Sequence, residues 1–369
     1  MQLSRRLLAL IGIACAVGIS ALSSVSLSTG DRNTSLSSTL KKDPLKILKR
    51  TGGCRDEVLT CLSQAGSRWT RSTQYALVAE QQQSMLALSK IDDLAASSRK
   101  HITADAYALE VKHSEFLAQI ATESGLSSKT MITVCQLGGE CRHLRGNQRL
   151  DNPASLIKVP IALLLLHKSD AENLSLNTKT LVSPDNFTED KSDIGVGEEL
   201  PLKTLLFEMI THSSNIATNQ LIDYLGWDYM NRTLHDLGYP STEVNFKVVG
   251  EETMPADPGN DSNRLTSDEL TQIMLDTYSF KYASAYLLVE ALRLQSDLDL
   301  GFAALQNTPA EWLGEKTGQT SDVLGTTLAM RIAEKIYIVT VIDDNTGGEE
   351  GLRDCIHRIA QYISDRENF

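Results

Sequence analysis

The sequence lacks an excess of basic residues. It has 35 Lys and Arg residues against 47 Asp and Glu residues, which gives a formal net charge of −12 over 369 residues. A nucleic-acid-binding protein needs a basic surface that neutralises phosphates, so this balance argues against that class. It does not argue against a small substrate that itself carries a carboxylate.

The sequence also lacks an internal repeat and a strongly biased composition. No period of 20 to 50 residues recurs, which excludes solenoid architectures. Hydrophobic residues make up 41% and charged residues 22%, and these shares exclude collagen-like, disordered and coiled-coil classes for the chain as a whole. At roughly 150 residues per domain, the length allows about two and a half domains.

A complete set of metal ligands is missing as well. Cys135, Cys141 and His143 lie close together in sequence, but a structural zinc site needs a fourth ligand at a suitable spacing. We therefore predict no metal site, and the chemistry considered below requires neither a metal nor an organic cofactor.

The first residues predict an export signal. Arg5 and Arg6 precede an apolar run over residues 7–22, and several serines follow that run. These are the features of a secretory signal peptide, which we assign to residues 1–26. The protein is therefore expected to be periplasmic or secreted. An uncleaved membrane anchor through the same run is the alternative, although about 20 residues are needed to span a bilayer. Cys15 lies in a poor lipidation motif.

Export makes the other cysteines candidates for disulfides. Cys135 and Cys141 flank Gly138 and Gly139 almost symmetrically, as cross-strand partners on a hairpin would. A bond between them is plausible in an oxidising compartment, although sequence alone does not assign connectivity.

The order of predicted elements indicates an α/β body preceded by an extension. Residues 27–102 predict a linker and a solvated helical hairpin, and a further helix is predicted over about 104–123. The body then contains strands over 130–147 and 320–345, a mostly helical segment over about 155–300, and a closing helix over about 351–362. The strands must meet in one sheet, with the helices of the middle segment packed as a separate layer.

The first motif that suggests chemistry is Ser155-Leu156-Ile157-Lys158, at the start of an apolar helix. A spacing of three residues places Ser155 and Lys158 on one helical face. A desolvated lysine can take the proton of a serine, and a helix N-terminus offers backbone donors for an oxyanion. The alternative is a capping serine with a surface lysine, but the apolar residues that follow favour a buried lysine.

The second motif is Ser213-Ser214-Asn215, which lies between two helical segments. A hydroxyl and an amide two residues apart can face one cavity, where Ser213 would relay a proton and Asn215 would bind a substrate amide. The alternative is an ordinary helix N-cap, a role that Ser and Asn often fill.

The third motif is Lys316-Thr317-Gly318, which leads into residues of strand character. On a strand edge, Gly318 would let a substrate approach the backbone, while Lys316 and Thr317 would bind its carboxylate. The alternative is a loop without a function.

Together the three motifs resemble the S-x-x-K, S-D-N and K-T-G signature of class A β-lactamases and penicillin-binding proteins. Ser213 follows Ser155 by 58 residues and Lys316 follows Ser213 by 103 residues, and this order and these separations are similar to the class A arrangement. The resemblance covers about residues 103–365. It implies a hydrolase domain over 103–369, with an antiparallel sheet flanked by N- and C-terminal helices and a mostly helical inserted subdomain.

The resemblance also implies roles for individual residues. Ser155 corresponds to the acylated nucleophile, Lys158 to its proton acceptor and Ser213 to the shuttle toward the leaving nitrogen. The oxyanion hole would be the backbone N–H groups of Ser155 and Gln319. The implied substrate-binding positions are Asn215, Lys316, Thr317, Gly318, Gln319 and, as an additional carboxylate contact, Arg353. The implied substrate is a β-lactam or a peptide that resembles those of peptidoglycan.

The sequence departs from the family pattern at two places. Ser214 replaces the aspartate of the second motif, a residue that organises neighbouring backbone in the family. The E-x-x-L-N run that carries the deacylating glutamate is absent, although Glu251 and Glu252 lie near its expected place. They are candidate catalytic bases, with exposed loop acids as the alternative.

Three functions therefore stay open at this point. The first is a β-lactam hydrolase that acts through an acyl-enzyme on Ser155. The second is a D-alanyl peptidase-like penicillin-binding protein whose acyl-enzyme is released slowly, because no base activates the water. The third is a non-catalytic module of the cell envelope, in which the N-terminal helices recruit partners.

Overall fold

The computed structural model of the protein describes residues 111–190 and 192–366. The predicted signal, the 27–102 extension and the beginning of the predicted 104–123 helix lie outside these residues, as do Cys15 and residues 367–369. Among the helices that the structure describes, none is both long and apolar enough to cross a membrane.

The described chain contains ten strands and nine α-helices, with two short 3₁₀ turns between them. The strands are β1 (Val111–His113), β2 (Met131–Gln136), β3 (Cys141–Leu144), β4 (Leu150–Asp151), β5 (Lys179–Leu181), β6 (Glu199–Pro201), β7 (Arg264–Leu265), β8 (Glu311–Gln319), β9 (Leu324–Ile332) and β10 (Lys335–Asp343). The helices are α1 (Glu115–Glu123), α2 (Lys158–Glu172), α3 (Leu202–Thr211), α4 (Asn215–Leu225), α5 (Trp227–Asp236), α6 (Ser267–Tyr278), α7 (Ala285–Arg293), α8 (Gly301–Ala304) and α9 (Gly348–Arg366).

Six of these strands form the central sheet, in the order β1-β3-β2-β10-β9-β8. All neighbouring strands are antiparallel except β1 and β3, which are parallel. Two small sheets, β4 with β7 and β5 with β6, lie outside it. The order joins strands from both ends of the described chain, as the sequence predicts.

Both faces of the sheet are buried, which explains the continuous apolar sequence of β10. Successive residues of a strand point to opposite faces. Ile338 and Ile342 accordingly pack into the core with helices α2, α3, α4, α6 and α7. Val339 and Val341 belong to the second core, with α1 and α9. The predicted α/β class, an antiparallel sheet flanked by terminal helices and carrying a helical subdomain, is therefore confirmed.

Two predicted boundaries are wrong. Residues 111–113 form an edge strand rather than part of a helix, and α1 begins only after Ser114, whose backbone is extended with φ of −134°. The last part of the sheet begins at Glu311 rather than at residue 320. The inner positions of β8 carry Glu315, Lys316 and Thr317, which are all buried, so an apolar pattern cannot reveal this strand.

A disulfide closes the first hairpin of the sheet. Cys135 and Cys141 lie directly opposite each other in the register of β2 and β3 and their sulfurs are bonded. Gly138 adopts a φ of +72° in the connecting turn, a left-handed conformation that glycine adopts without steric cost.

Candidate active site

Ser155 lies on the 3₁₀ turn Ala154–Ile157, immediately before α2. Its side chain is half-buried, whereas Leu156 and Ile157 are fully buried and fix the turn against the core. Strand β8 runs directly beside this turn. A Cβ on Gly318 would lie 2.9 Å from Leu156 Cγ, 3.0 Å from the Leu156 backbone nitrogen and 3.2 Å from the Ser155 backbone nitrogen, so a larger residue would have to displace the turn.

Lys158 is the first residue of α2 and is completely buried. Its Nζ donates to the backbone oxygen of Ser213 at 2.5 Å, to Ser213 Oγ at 3.2 Å and to Asn215 Oδ1 at 2.8 Å. Burial lowers the pKa of Lys158 well below its ordinary value, and the charge of Lys316 lowers it further, while Asp190 acts in the opposite direction. An amine with a lowered pKa can accept a proton near neutral pH.

Ser213 joins the three motifs in one place. It lies between α3 and α4 with a φ of +57°, an uncommon conformation for a residue with a side chain. Its Oγ accepts from Lys158 Nζ at 3.2 Å and from Lys316 Nζ at 3.1 Å. The bond from Lys158 to its backbone oxygen holds this conformation in place.

Lys316 is also completely buried, on the inner part of β8. Its Nζ donates to the backbone oxygen of Thr317 at 2.8 Å, in addition to Ser213 Oγ. Burial lowers the pKa of Lys316 to about 8, although Asp297 and Glu315 favour the charged form. The Thr317 hydroxyl donates to Asp297 Oδ2 at 2.7 Å. The sequence motifs do not indicate Asp297, because it lies outside the Lys316-Thr317-Gly318 motif.

Asp190 is a second residue that the sequence motifs do not indicate. Its Oδ2 accepts from Ser214 Oγ at 2.5 Å and from the Ile216 backbone N–H at 2.8 Å. Ser214 is completely buried and its Oγ also accepts from the Ala217 backbone N–H at 3.0 Å, so that Ser214 is the N-cap of α4. In the sequence, only the serine at position 214 in place of the S-D-N aspartate indicates that another residue supplies a carboxylate here.

The two predicted catalytic glutamates have exposed side chains. The backbone N–H groups of Glu251 and Glu252 each donate to Glu189 Oε2 at 3.0 Å, and Thr253 adds donors from its hydroxyl and its backbone. The hydrogen bonds from the Thr253 hydroxyl and from the backbone N–H groups of Thr253 and Glu252 hold the pKa of Glu189 well below its ordinary value. Asn215 Nδ2 donates to the Glu189 backbone oxygen at 3.4 Å. The loop is thus tied to the site through Glu189, and the catalytic role of Glu251 and Glu252 stays a prediction.

Two further predicted residues, Gln319 and Arg353, lie at the end of β8 and on α9. Gln319 is the exposed last residue of β8. Arg353 lies on α9, where its Nη1 donates to the Asp299 backbone oxygen at 2.9 Å and to Glu349 Oε2 at 3.2 Å. The structure does not join Arg353 to Lys316 by a direct contact, so its role in carboxylate binding stays a prediction. Within residues 111–190 and 192–366, no group of three or more His, Cys, Asp or Glu side chains could hold a metal ion.

Solved structures that share this fold include β-lactamases and PBP-A. A β-lactamase from Sphaerobacter thermophilus has 21% identity and a TM-score of 0.59, over 69% of this chain and 98% of that one. A variant of PBP-A, solved as an acyl-enzyme with penicillin G, also has 21% identity and a TM-score of 0.59, over 69% of this chain and 98% of that one. An ancestral class A β-lactamase has 21% identity and a TM-score of 0.55, over 68% of this chain and 99% of that one. The sequence matches no curated protein at a significant level.

A family assignment rests on the sequence itself. Residues 114–366 match the model of the β-lactamase enzyme family, and this range includes all three motifs and every strand of the central sheet except β1. Lys158, which lies beside the serine turn, and Lys316 both donate to the hydroxyl of Ser213, as the three motifs require. This chain belongs to the β-lactamase enzyme family of serine hydrolases.

Proposed function

We propose that this protein opens the amide of a β-lactam through an acyl-enzyme on Ser155. One observation carries the proposal: Ser213 Oγ accepts hydrogen bonds from both Lys158 and Lys316, at 3.2 and 3.1 Å. This contact joins the three motifs in one network beside the turn that carries Ser155. The arrangement supplies a nucleophile, a base and a cation for a substrate carboxylate.

The lowered pKa of Lys158 supports its role as the base. A neutral Lys158 amine can take the proton of the Ser155 hydroxyl as that oxygen attacks the carbonyl carbon of the lactam. Ser213 accepts from the same amine, so it is placed to pass a proton on to the leaving nitrogen when the C–N bond breaks. The product of this step is an ester on Ser155, which water then hydrolyses.

The surroundings of Ser155 support charge stabilisation. The close approach of Gly318 to the serine turn brings the end of β8 to the region where the backbone N–H groups of Ser155 and Gln319 would bind the oxyanion. Lys316 and Thr317 lie next to each other on the same strand and present an ammonium and a hydroxyl. This pair suits the carboxylate of a β-lactam or of a peptide that resembles those of peptidoglycan.

A penicillin-binding protein with slow deacylation is the second candidate. It is favoured by the exposure of Glu251 and Glu252 and by the four donors that occupy the Glu189 carboxylate. A carboxylate held in this way is a poor base, because its pKa is lowered. Without another base the ester on Ser155 would form and persist.

Export is part of the proposal. The basic and apolar beginning of the chain, residues 1–26, supports a secretory signal or an anchor through residues 7–22. The Cys135–Cys141 disulfide supports an oxidising compartment, such as the periplasm or the cell exterior.

Intact-mass spectrometry after mixing with benzylpenicillin tests the proposal, together with nitrocefin turnover. We expect the mass to rise by one penicillin and nitrocefin to be hydrolysed, and we expect both signals to vanish in Ser155→Ala. Ser128→Ala is the matched control, because Ser128 is exposed between α1 and β2. An adduct that persists without turnover identifies the penicillin-binding alternative. A folded wild-type protein with neither signal contradicts both and favours the non-catalytic module.

A further inference from the structure

The second motif of this protein has Ser214 where the S-D-N signature has an aspartate. A carboxylate nevertheless lies against Ser214, and it belongs to Asp190, 24 residues earlier in the chain. Asp190 Oδ2 accepts from Ser214 Oγ at 2.5 Å and from the Ile216 N–H at 2.8 Å. Ser192 Oγ donates to Ser214 Oγ at 3.0 Å, so a second residue of the same segment, two positions after Asp190, also contacts Ser214.

These contacts fix the beginning of α4. The first backbone N–H groups of a helix have no partner within the helix and need acceptors from elsewhere. Asp190 satisfies that of Ile216 and Ser214 satisfies that of Ala217. Ser213 and Asn215 are the two neighbours of Ser214 in sequence, and both accept hydrogen bonds from Lys158. The position of these two acceptors therefore depends on the backbone that Asp190 holds.

We propose that Asp190 is a positioning residue that supplies the carboxylate missing from the second motif and holds Ser213 and Asn215 on Lys158. This inference rests on the proposed function of Ser155, because its consequence is the rate of acylation. Asp190 touches neither the reacting atoms nor the substrate-binding pair on β8. It acts through the hydroxyl of Ser214 and the first turn of α4.

The charge of Asp190 adds a second effect. Two charged groups act on Lys158: Lys316 on β8 disfavours its charged form and Asp190 favours it. Glu208 on α3 in turn feels the charge of Asp190, together with His212 and Asp193. Removing the Asp190 charge should lower the pKa of Lys158 further. Acylation needs the neutral amine of Lys158 and is lost as pH falls below the pKa of that amine. This pH is the acidic limit of acylation, and it should move to a lower value when the Asp190 charge is removed.

An exchange of the two side chains tests the pairing. We expect Asp190→Ser to slow the acylation of Ser155 by benzylpenicillin about 10- to 100-fold, because Ser214 and Ile216 lose a charged acceptor. Ser214→Asp alone should be slow as well, because it places two carboxylates in contact. The double variant Asp190→Ser with Ser214→Asp restores one carboxylate and one hydroxyl, and aspartate is a good N-cap. It should recover to within about fivefold of the wild type.

Two further variants separate position from charge. Asp190→Asn keeps an acceptor oxygen but removes the charge, and it should move the acidic limit of acylation to lower pH. Asp193→Asn is the control, since Asp193 is an exposed acid of the same segment. It should leave the acylation rate within about twofold of the wild type and the pH of the acidic limit unchanged. A double variant whose defect equals the product of the two single defects would overturn the proposal, as would an Asp190→Ser protein that acylates at the wild-type rate.

Hydrogen exchange distinguishes a failure of this inference from a failure of the proposed function. The backbone amides of Ile216 and Ala217 should exchange faster in Asp190→Ser and recover in the double variant, without any substrate present. If wild-type protein is never acylated, the proposed function fails while the exchange result still tests the contact. Unchanged exchange at Ile216 in Asp190→Ser would refute the positioning role by itself.

Discussion

The buried ammonium of Lys316 predicts an alkaline limit for acylation. Burial lowers the pKa of Lys316 to about 8, so the side chain is charged below that pH and neutral above it. The charged form is the one that binds a substrate carboxylate beside Thr317. The catalytic efficiency should therefore be constant below pH 7 as far as this residue is concerned, and it should fall as pH rises through about 8.

The size of the fall follows from a single ionisation. With a pKa of about 8, the charged fraction of Lys316 drops from about nine tenths at pH 7 to about one tenth at pH 9. If only the charged form binds productively, kcat/KM should fall about tenfold across those two pH units. This ratio reports the ionisation of the free enzyme, so the charge of the bound substrate does not shift the limit.

The assay is the pH dependence of nitrocefin kcat/KM in the wild type, Lys316→Arg and Lys168→Arg. Arginine stays charged over the whole range, so its profile should show no fall near pH 8, whatever its plateau. Lys168 is the control, because it lies on α2 in a salt bridge with Glu172 at 2.7 Å. A wild-type profile that stays level to pH 10, or an arginine variant with an unchanged limit, would refute the reasoning. Thermal melting of each variant shows whether it is folded.

Three other contacts can be tested, at the serine turn, in the first hairpin of the sheet and around Glu189. Gly318→Ala should slow acylation about 100-fold without unfolding the protein, because its Cβ would push β8 from the serine turn; a normal acylation rate contradicts this close packing. Replacing Cys135 and Cys141 together by alanine should reduce the free energy of unfolding by about 2 kcal/mol, as expected for a bond between cysteines with a sequence separation of 6. A denaturant titration with an unchanged midpoint argues against a stabilising bond. Glu189→Gln should speed hydrogen exchange at the backbone of residues 251–253, whose donors lose a charged acceptor; exchange as slow as in the wild type would show that other contacts hold the loop.

The sequence predicts those parts of the fold in which pattern and burial agree. β10 is apolar on both faces and is found at its predicted place, and the apolar run after Lys158 is buried in α2 as expected. β8 could not be predicted over its full length, because its buried positions carry Glu315, Lys316 and Thr317. Their burial depends on long-range partners such as the Gly301 N–H, which donates to Glu315 Oε2 at 2.8 Å, and no local pattern contains that information.

The residues of the candidate site are likewise predicted from the sequence only in part. The three motifs indicate Ser155, Lys158, Ser213 and Lys316, because each chemical role requires a particular residue type at a fixed spacing. Asp190 acts on this site from the segment between α2 and α3, which has no sequence signature. Its contribution depends on the hydrogen bonds that it accepts from Ser214 and from the Ile216 backbone N–H, which only the folded chain creates.

Two completely buried lysines beside one hydroxyl require an explanation, because two unshielded charges in an apolar interior repel each other strongly. The acidic groups around them are distributed unequally. Lys316 is favoured in its charged form by both Asp297 and Glu315, whereas Lys158 has only Asp190 against burial and the charge of Lys316. The proposed roles follow this asymmetry, with Lys316 as the cation for the substrate carboxylate and Lys158 as the base. In the proposed acylation the proton of Ser155 moves to Lys158, while the charge on β8 binds the substrate carboxylate. We infer that carboxylates outside the three motifs divide these two roles between the lysines.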